Sequence, residues 1–131
     1  MSNLALVRAL NLSSYRTETI SGVSFYIAET AEQHASGLSG LSALDKDGMF
    51  FVFAAPTTKP FHMANMQLDL DIAFYDEAGM LLKEGTFSKF YKGPIFSPAA
   101  YKYVMETPAR SISFSDVDVQ AFVSSKEDTN K

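Results

Sequence analysis

Apolar and polar residues alternate with period two over several stretches of the chain. Val23–Ala28 is the cleanest, with Val23, Phe25 and Ile27 on one face and Ser24, Tyr26 and Ala28 on the other, opened by Gly22. Such alternation predicts a strand, because successive side chains of an extended backbone point to opposite sides. Leu68–Tyr75 sets Leu68, Leu70, Ile72 and Phe74 against Asp69, Asp71, Ala73 and Tyr75. Asp76-Glu77-Ala78-Gly79 then reads as a hairpin turn, with Met80–Phe87 as the returning strand. Gly48–Ala54 is continuously apolar, which suits a strand covered on both faces. Ala100–Thr107 is a further strand, placing Tyr101, Tyr103 and Met105 opposite Lys102, Val104 and Glu106. Residues 4–12 suit a strand through Leu4, Leu6, Leu10 and Leu12, or a helix through Leu4, Val7 and Leu10.

One helix is marked by its start signal. Thr30 followed three residues later by Gln33 is a capping box, in which each side chain satisfies a backbone amide near the other. Gly37 or Gly40 would close this helix. Pro56 and Pro60 mark a loop, and Gly93, Pro94 and Pro98 mark another. Near the C-terminus Ile112 and Phe114 are apolar at even positions, whereas Val117, Val119, Ala121 and Val123 are apolar at odd ones. A period-two pattern changes phase only at a bulge or turn, which predicts a kink near Ser115-Asp116 between two strands. Residues 124–131 are wholly polar and read as a tail. The expected fold is mostly β: a compact, single-domain sandwich or barrel-like fold of about seven short strands, with one short helix at about residues 31–38.

The length of 131 residues fits one domain, expected over residues 1–123. Eleven Lys and Arg against fifteen Asp and Glu give a net charge of -4. That balance argues against a nucleic-acid partner, which normally demands a basic face. Cysteine is absent, so disulfides, thiolate catalysis and Cys-containing metal sites are excluded. No apolar run is long enough to span a bilayer, and no membrane partner is expected. The N-terminus lacks a cationic start and Arg8 interrupts its apolar stretch, so no export signal is read and a cytoplasmic location is expected.

Several constellations are candidates for chemistry. Asp69 and Asp71 lie on one strand face, about 7 Å apart at the rise of a β-strand, a spacing that can serve acid–base work, hold a hard cation, or simply face solvent. Asp116 and Asp118 repeat that spacing. There are two histidines, His34 and His62. His34 falls in the expected helix. His62 with Asp71 and Glu106 would make a two-carboxylate, one-histidine set of the kind that binds zinc, manganese or iron, if the fold brought them together. Phe87, Phe90, Tyr91 and Phe96, near Lys83, Lys89 and Lys92, could stack sugars or bases, or cover one end of the core; the acidic balance favours the core. Gly37-Leu38-Ser39-Gly40 is one residue short of a nucleophile elbow, and neither a phosphate loop nor a dinucleotide fingerprint occurs.

Three stretches together resemble an uncharacterised bacterial, archaeal and phage family, domain of unknown function 192. The first runs from Ala28-Glu29-Thr30 through His34-Ala35-Ser36-Gly37-Leu38, then Leu44, to Gly48-Met49-Phe50-Phe51-Val52-Phe53. The second is Phe61-His62-Met63-Ala64-Asn65-Met66 followed by Leu70-Asp71-Ile72-Ala73-Phe74, and the third is Tyr103-Val104-Met105-Glu106. The likeness covers residues 23–114. It implies a mostly β domain of no known activity, and its polar signature maps onto Asn65, Asp71 and Glu106. Those residues would either brace the Pro60–Met66 turn or line a small pocket. Where the family usually has an Arg after its Gly-Leu-Met, this chain has Leu41 at the nearest position. His62, Met66 and Asp69 replace the family's Trp, Thr and Pro, and the export signal frequent in the family is not seen. A lost Arg and no nucleophile–base pair lead to the expectation of a non-enzymatic binding or assembly module. Its expected partner is a protein or a second copy, with no cofactor, and a virion component is the alternative setting. The rival expectations are a metal- or small-ligand site at His62, Asp71 and Glu106, hydrolytic in one version, and a stacking surface at Phe87–Phe96.

Overall fold

The computed structural model describes residues 12–129, so the ambiguous segment 4–12 lies almost wholly outside the described residues. The chain runs β1 (Arg16–Ile20), β2 (Val23–Ala28), α1 (Ala31–Ser36), β3 (Gly48–Thr57), β4 (Leu70–Tyr75), β5 (Leu81–Phe87), β6 (Tyr101–Pro108), a single 3-10 turn (Phe114–Asp116) and α2 (Val119–Thr129). The strands form one open sheet in the order β1-β2-β3-β6-β4-β5. Every pairing is antiparallel except β2 with β3. The mostly β expectation holds. The sheet is one layer of six strands, and loops and a helix stand where the second sheet of a sandwich would be.

Alternation divides the apolar residues between the two faces. One face carries Met49, Phe51, Leu70, Ile72, Phe74 and Val104, covered by Leu38, Leu41, Met63 and Ile95 from loops. The other carries Phe25, Ile27, Phe50, Ala73, Tyr75, Tyr103 and Met105, covered by Val117 and by Val119, Phe122 and Val123 of α2. Both faces exclude water, which is why β3, β4 and β6 read as almost continuously apolar.

Three expectations are corrected. The segment after Val117 is a helix. Val119, Phe122 and Val123 are spaced i, i+3, i+4 and all three are buried. The Oδ1 of Asp118 accepts the Ala121 amide at 2.9 Å, capping the start. The helix continues to Thr129, into the segment expected to be a polar tail. Ile112 and Phe114 lie not in a strand but in the irregular chain and 3-10 turn that lead to it. Finally, β1 is a strand the alternation missed, because Arg16-Thr17-Glu18-Thr19 is polar at an edge of the sheet. Its signal is the Ser21-Gly22 turn, whose φ values of 53° and 80° are those a tight two-residue hairpin requires.

Candidate functional site

Glu106 lies on β6 in the middle of the sheet, across from Met49 of β3 and Ile72 of β4. Alternation therefore points it into the face covered by loops. It is 1% exposed, and its Oε1 has no hydrogen-bond partner. A carboxyl buried without a partner strongly disfavours its charged form. Burial accordingly pushes the Glu106 carboxyl up to about 8, so it is protonated at neutral pH.

This carboxyl lines a cavity of about 550 Å³. Phe51 and Phe53 of β3, Phe61, His62 and Met66 of the following loop, and Tyr101 of β6 form part of its wall. The rest comes from Glu29, from α1 with its C-terminal Gly37, and from residues within 54–60. The predicted capping box holds α1: Thr30 Oγ1 accepts the Gln33 amide at 3.1 Å, and Gln33 Oε1 accepts the Thr30 amide at 3.2 Å. His34, one turn in, donates from Nε2 to the carbonyls of Ala28 (3.0 Å) and Val52 (2.8 Å) and stacks on Phe53 with ring centroids 4.0 Å apart. It thus ties the helix to the point where β2 leaves β3. At Gly37, φ is 45°, and a Cβ there would stand 3.4 Å from the Phe51 ring and 3.8 Å from Glu106 Oε1. Glycine thereby keeps space open beside the carboxyl.

The opposite wall is fixed by the loop after β3. Register with β6 shifts between Val52 and Thr57, a bulge after which Thr57 pairs with Tyr101 at the end of β3. This shift also moves Tyr101 onto the Val104 side and away from Tyr103, against the simple alternation. Tyr101 donates its hydroxyl to the Lys59 carbonyl at 2.6 Å, and Phe61 forms a two-bond bridge with Ile95. Phe61 packs edge-on against Phe51 (5.1 Å) and Phe74 (5.5 Å).

The other residues singled out in the sequence go elsewhere. Asp71 alternates with Ile72 and so faces the opposite side of the sheet from Glu106. Its Oδ1 accepts from Thr86 Oγ1 at 2.5 Å and its Oδ2 from the Arg110 amide at 2.9 Å, which braces β4, β5 and the turn after β6. It borders a second cavity of about 740 Å³ beneath α2. His62 is exposed at the rim of the Glu106 cavity, with its Nδ1 accepting the Ala64 amide at 3.2 Å. His62, Asp71 and Glu106 therefore do not meet, and no cluster of three metal-ligating side chains occurs among the described residues. Asn65 serves through its backbone: φ is 62°, and its carbonyl accepts the Gly40 amide at 2.9 Å. Asp69 accepts the Lys89 amide and so anchors the loop after β5. Leu41, at the position nearest the family's Arg, is buried in the apolar cluster. In the aromatic loop Phe87 is half-buried and packs against Tyr91, but Phe90, Tyr91 and Phe96 are exposed, so those three do not serve the core. The pocket-forming His34 and Gly37 were not singled out as site residues; the capping box that places them was legible.

The fold and site define a small mostly β domain with a buried carboxyl in a cavity whose wall carries four Phe and Tyr rings. The family model for domain of unknown function 192, described as uncharacterized ACR, matches residues 14–124, and the chain belongs to that family. No curated protein matches the sequence. A protein of unknown function from Novosphingobium aromaticivorans DSM 12444 has a similar structure, with 19% identity, a TM-score of 0.62, and coverage of 76% of this chain and 85% of that one. A second similar structure comes from Sinorhizobium meliloti 1021, a protein provisionally described as a transcription regulator. It shows 24% identity and a TM-score of 0.64, covering 73% of this chain and 83% of that one. These likenesses are of fold. Among the described residues no helix is long and apolar enough to cross a membrane.

Proposed function

We propose that this protein is a binding module that captures a small organic molecule in the Glu106 cavity. The observation that carries this reading is Glu106 itself, a wholly buried carboxyl with an unbonded Oε1 beside about 550 Å³ of space. A buried polar group without a partner costs about 1–3 kcal/mol, and a ligand that bonds to it recovers that cost. Cavities of roughly 300–1,000 Å³ with mainly apolar walls and a few polar groups are the usual form of small-molecule sites. The polar atoms around it are mostly engaged in holding the wall: His34 Nε2 serves two carbonyls, His62 Nδ1 an amide, and the Tyr101 hydroxyl a carbonyl. That arrangement supports binding over catalysis. The test is amide chemical-shift mapping with benzylamine, benzamide and benzoate as probes. At least one is expected to shift Gly37, Phe51, Phe61 and Glu106 together; no response to any of the three overturns the reading.

A second role, contact with a protein partner, is favoured by the loop after β5. Phe90 is 77% exposed although Ser88 Oγ and the Asp69 carboxylate fix its loop. If that loop is a contact surface between copies, replacing Phe90 and Phe96 by Ser lowers the sedimenting mass at high concentration. An unchanged monomer before and after removes self-association from consideration.

A further inference from the structure

Resting on the binding role of the Glu106 cavity, we propose that it takes the ammonium head of a primary amine carried on an apolar body, with Glu106 ionising as the counter-charge. Three observations point to a cation over other ligands.

The first is the chemistry of the floor. Glu106 is the only buried charged residue among those described, and its Oε1 bonds to nothing. The titratable groups facing the same space are Glu29 at the end of β2, His34 on α1, Lys59 and His62 on the loop after β3, and Tyr101 on β6. None of them hydrogen-bonds to Oε1. His34 cannot give its Nε2 hydrogen to Glu106 while two carbonyls share it. An ammonium group supplies the positive charge and the N–H donors that the floor lacks, and a charge-assisted pair is the stronger form of hydrogen bond.

The second is the wall. Phe51, Phe53, Phe61 and Tyr101 are aromatic, and their π-systems favour a cation over an anion at close range. The third is the wider field. The chain carries a net charge of -4, and the rim carboxylate Glu29, paired with Arg16 at 3.4 Å, adds no positive charge to the path inward. An anionic ligand would meet this field and a buried acid together, with Lys59 the one Lys or Arg among the described residues lining the cavity to offset them.

The proposal has a proton signature. Glu106 holds its proton up to about pH 8 in the free protein, so below that value each ammonium bound must expel one. A neutral amide would instead bind the protonated acid and leave its proton in place. The experiment is titration calorimetry of the full chain with benzylamine, benzamide and benzoate, from about pH 6 to pH 8 in buffers of different ionisation heat. Benzylamine is expected to bind tightest. Its affinity should rise close to tenfold per pH unit below about pH 8, and the buffer dependence of its heat should show nearly one proton released. Glu106→Gln keeps the shape and removes the ionisation, so it should lose benzylamine binding and retain any benzamide binding. The wild-type pH series decides the matter even if that variant folds poorly. Tighter binding of benzamide or benzoate, or a benzylamine affinity that stays flat or falls as pH rises, overturns the cation and leaves the cavity reading standing. Silence from all three probes removes the binding module and this inference with it.

Discussion

At the scale of single residues, Glu106 links stability to pH. Its carboxyl titrates near 4.5 in the unfolded chain and near 8 in the folded one. The folded state therefore binds the proton more tightly. The linked stability is fully present below about pH 4.5 and is lost as pH rises through about 8, by at most about 1.4 kcal/mol per pH unit. Urea unfolding of the wild type should show falling stability across that window, whereas Glu106→Gln should flatten the profile. Parallel profiles for the two proteins would mean that Glu106 is ionised or bonded in solution. Gly48 makes a second residue-scale case. It pairs beside β6, and a Cβ added there would collide with the Glu106 backbone carbonyl, with Thr107 Cγ2 only 2.9 Å away. Gly48→Ala forces β3 away from β6 at the cavity floor, and a loss of roughly 2 kcal/mol or more is expected in the same assay.

At the scale of elements, helices α1 and α2 have separate tasks. The capping box of α1 should be worth about 1 kcal/mol, so Thr30→Ala is expected to lower stability by that amount. Because α1 also carries His34 and Gly37, the same change should weaken probe binding; chemical denaturation and probe titration of one sample check both. Helix α2 closes the other face through Phe122, whose ring meets Phe50 edge-on at 5.2 Å. Phe122→Ala should cost about 3 kcal/mol, read by denaturant unfolding, with little effect on the cavity across the sheet. How far these elements were legible follows from what local pattern can and cannot encode. α1 was legible because Thr30 and Gln33 are a local signal. β2, β4 and β5 were legible because alternation or a flanking turn is local too. α2 was misread because Val117, Val119, Ala121 and Val123 mimic a strand; the cap at Asp118 and the i, i+3, i+4 set with Phe122 were the competing signal. The register shift after Val52 is set by pairing with a distant strand, so nothing nearby could announce that Tyr101 would leave the face of Tyr103. The site was half legible for the same reason. Glu106 was singled out, but Asp71 was grouped with it although strand pairing sends them to opposite sides.

At the scale of the whole molecule, one sheet separates two covered faces, and the Glu106 cavity belongs to the face closed by loops and the short helix α1. Each face keeps a cavity, of about 550 Å³ beside α1 and the loop after β3 and of about 740 Å³ beneath α2. Limited proteolysis should reflect this division: cleavage in the loop after β3 is expected to slow when a probe occupies the cavity, while α2 stays protected throughout. A probe that protects α2 and leaves the loop unchanged would place binding in the cavity beneath that helix.

The parallel pairing of β2 with β3 has a consequence for how this scaffold can diversify. Parallel neighbours cannot be joined by a hairpin, so the chain between Ala28 and Gly48 has to travel back across the sheet. That returning stretch is also what roofs the carboxyl, through His34 and Gly37. Its sequence can be exchanged without touching an antiparallel register, so chimeras that swap residues 29–47 between family members should trade ligand preference while keeping the same frame.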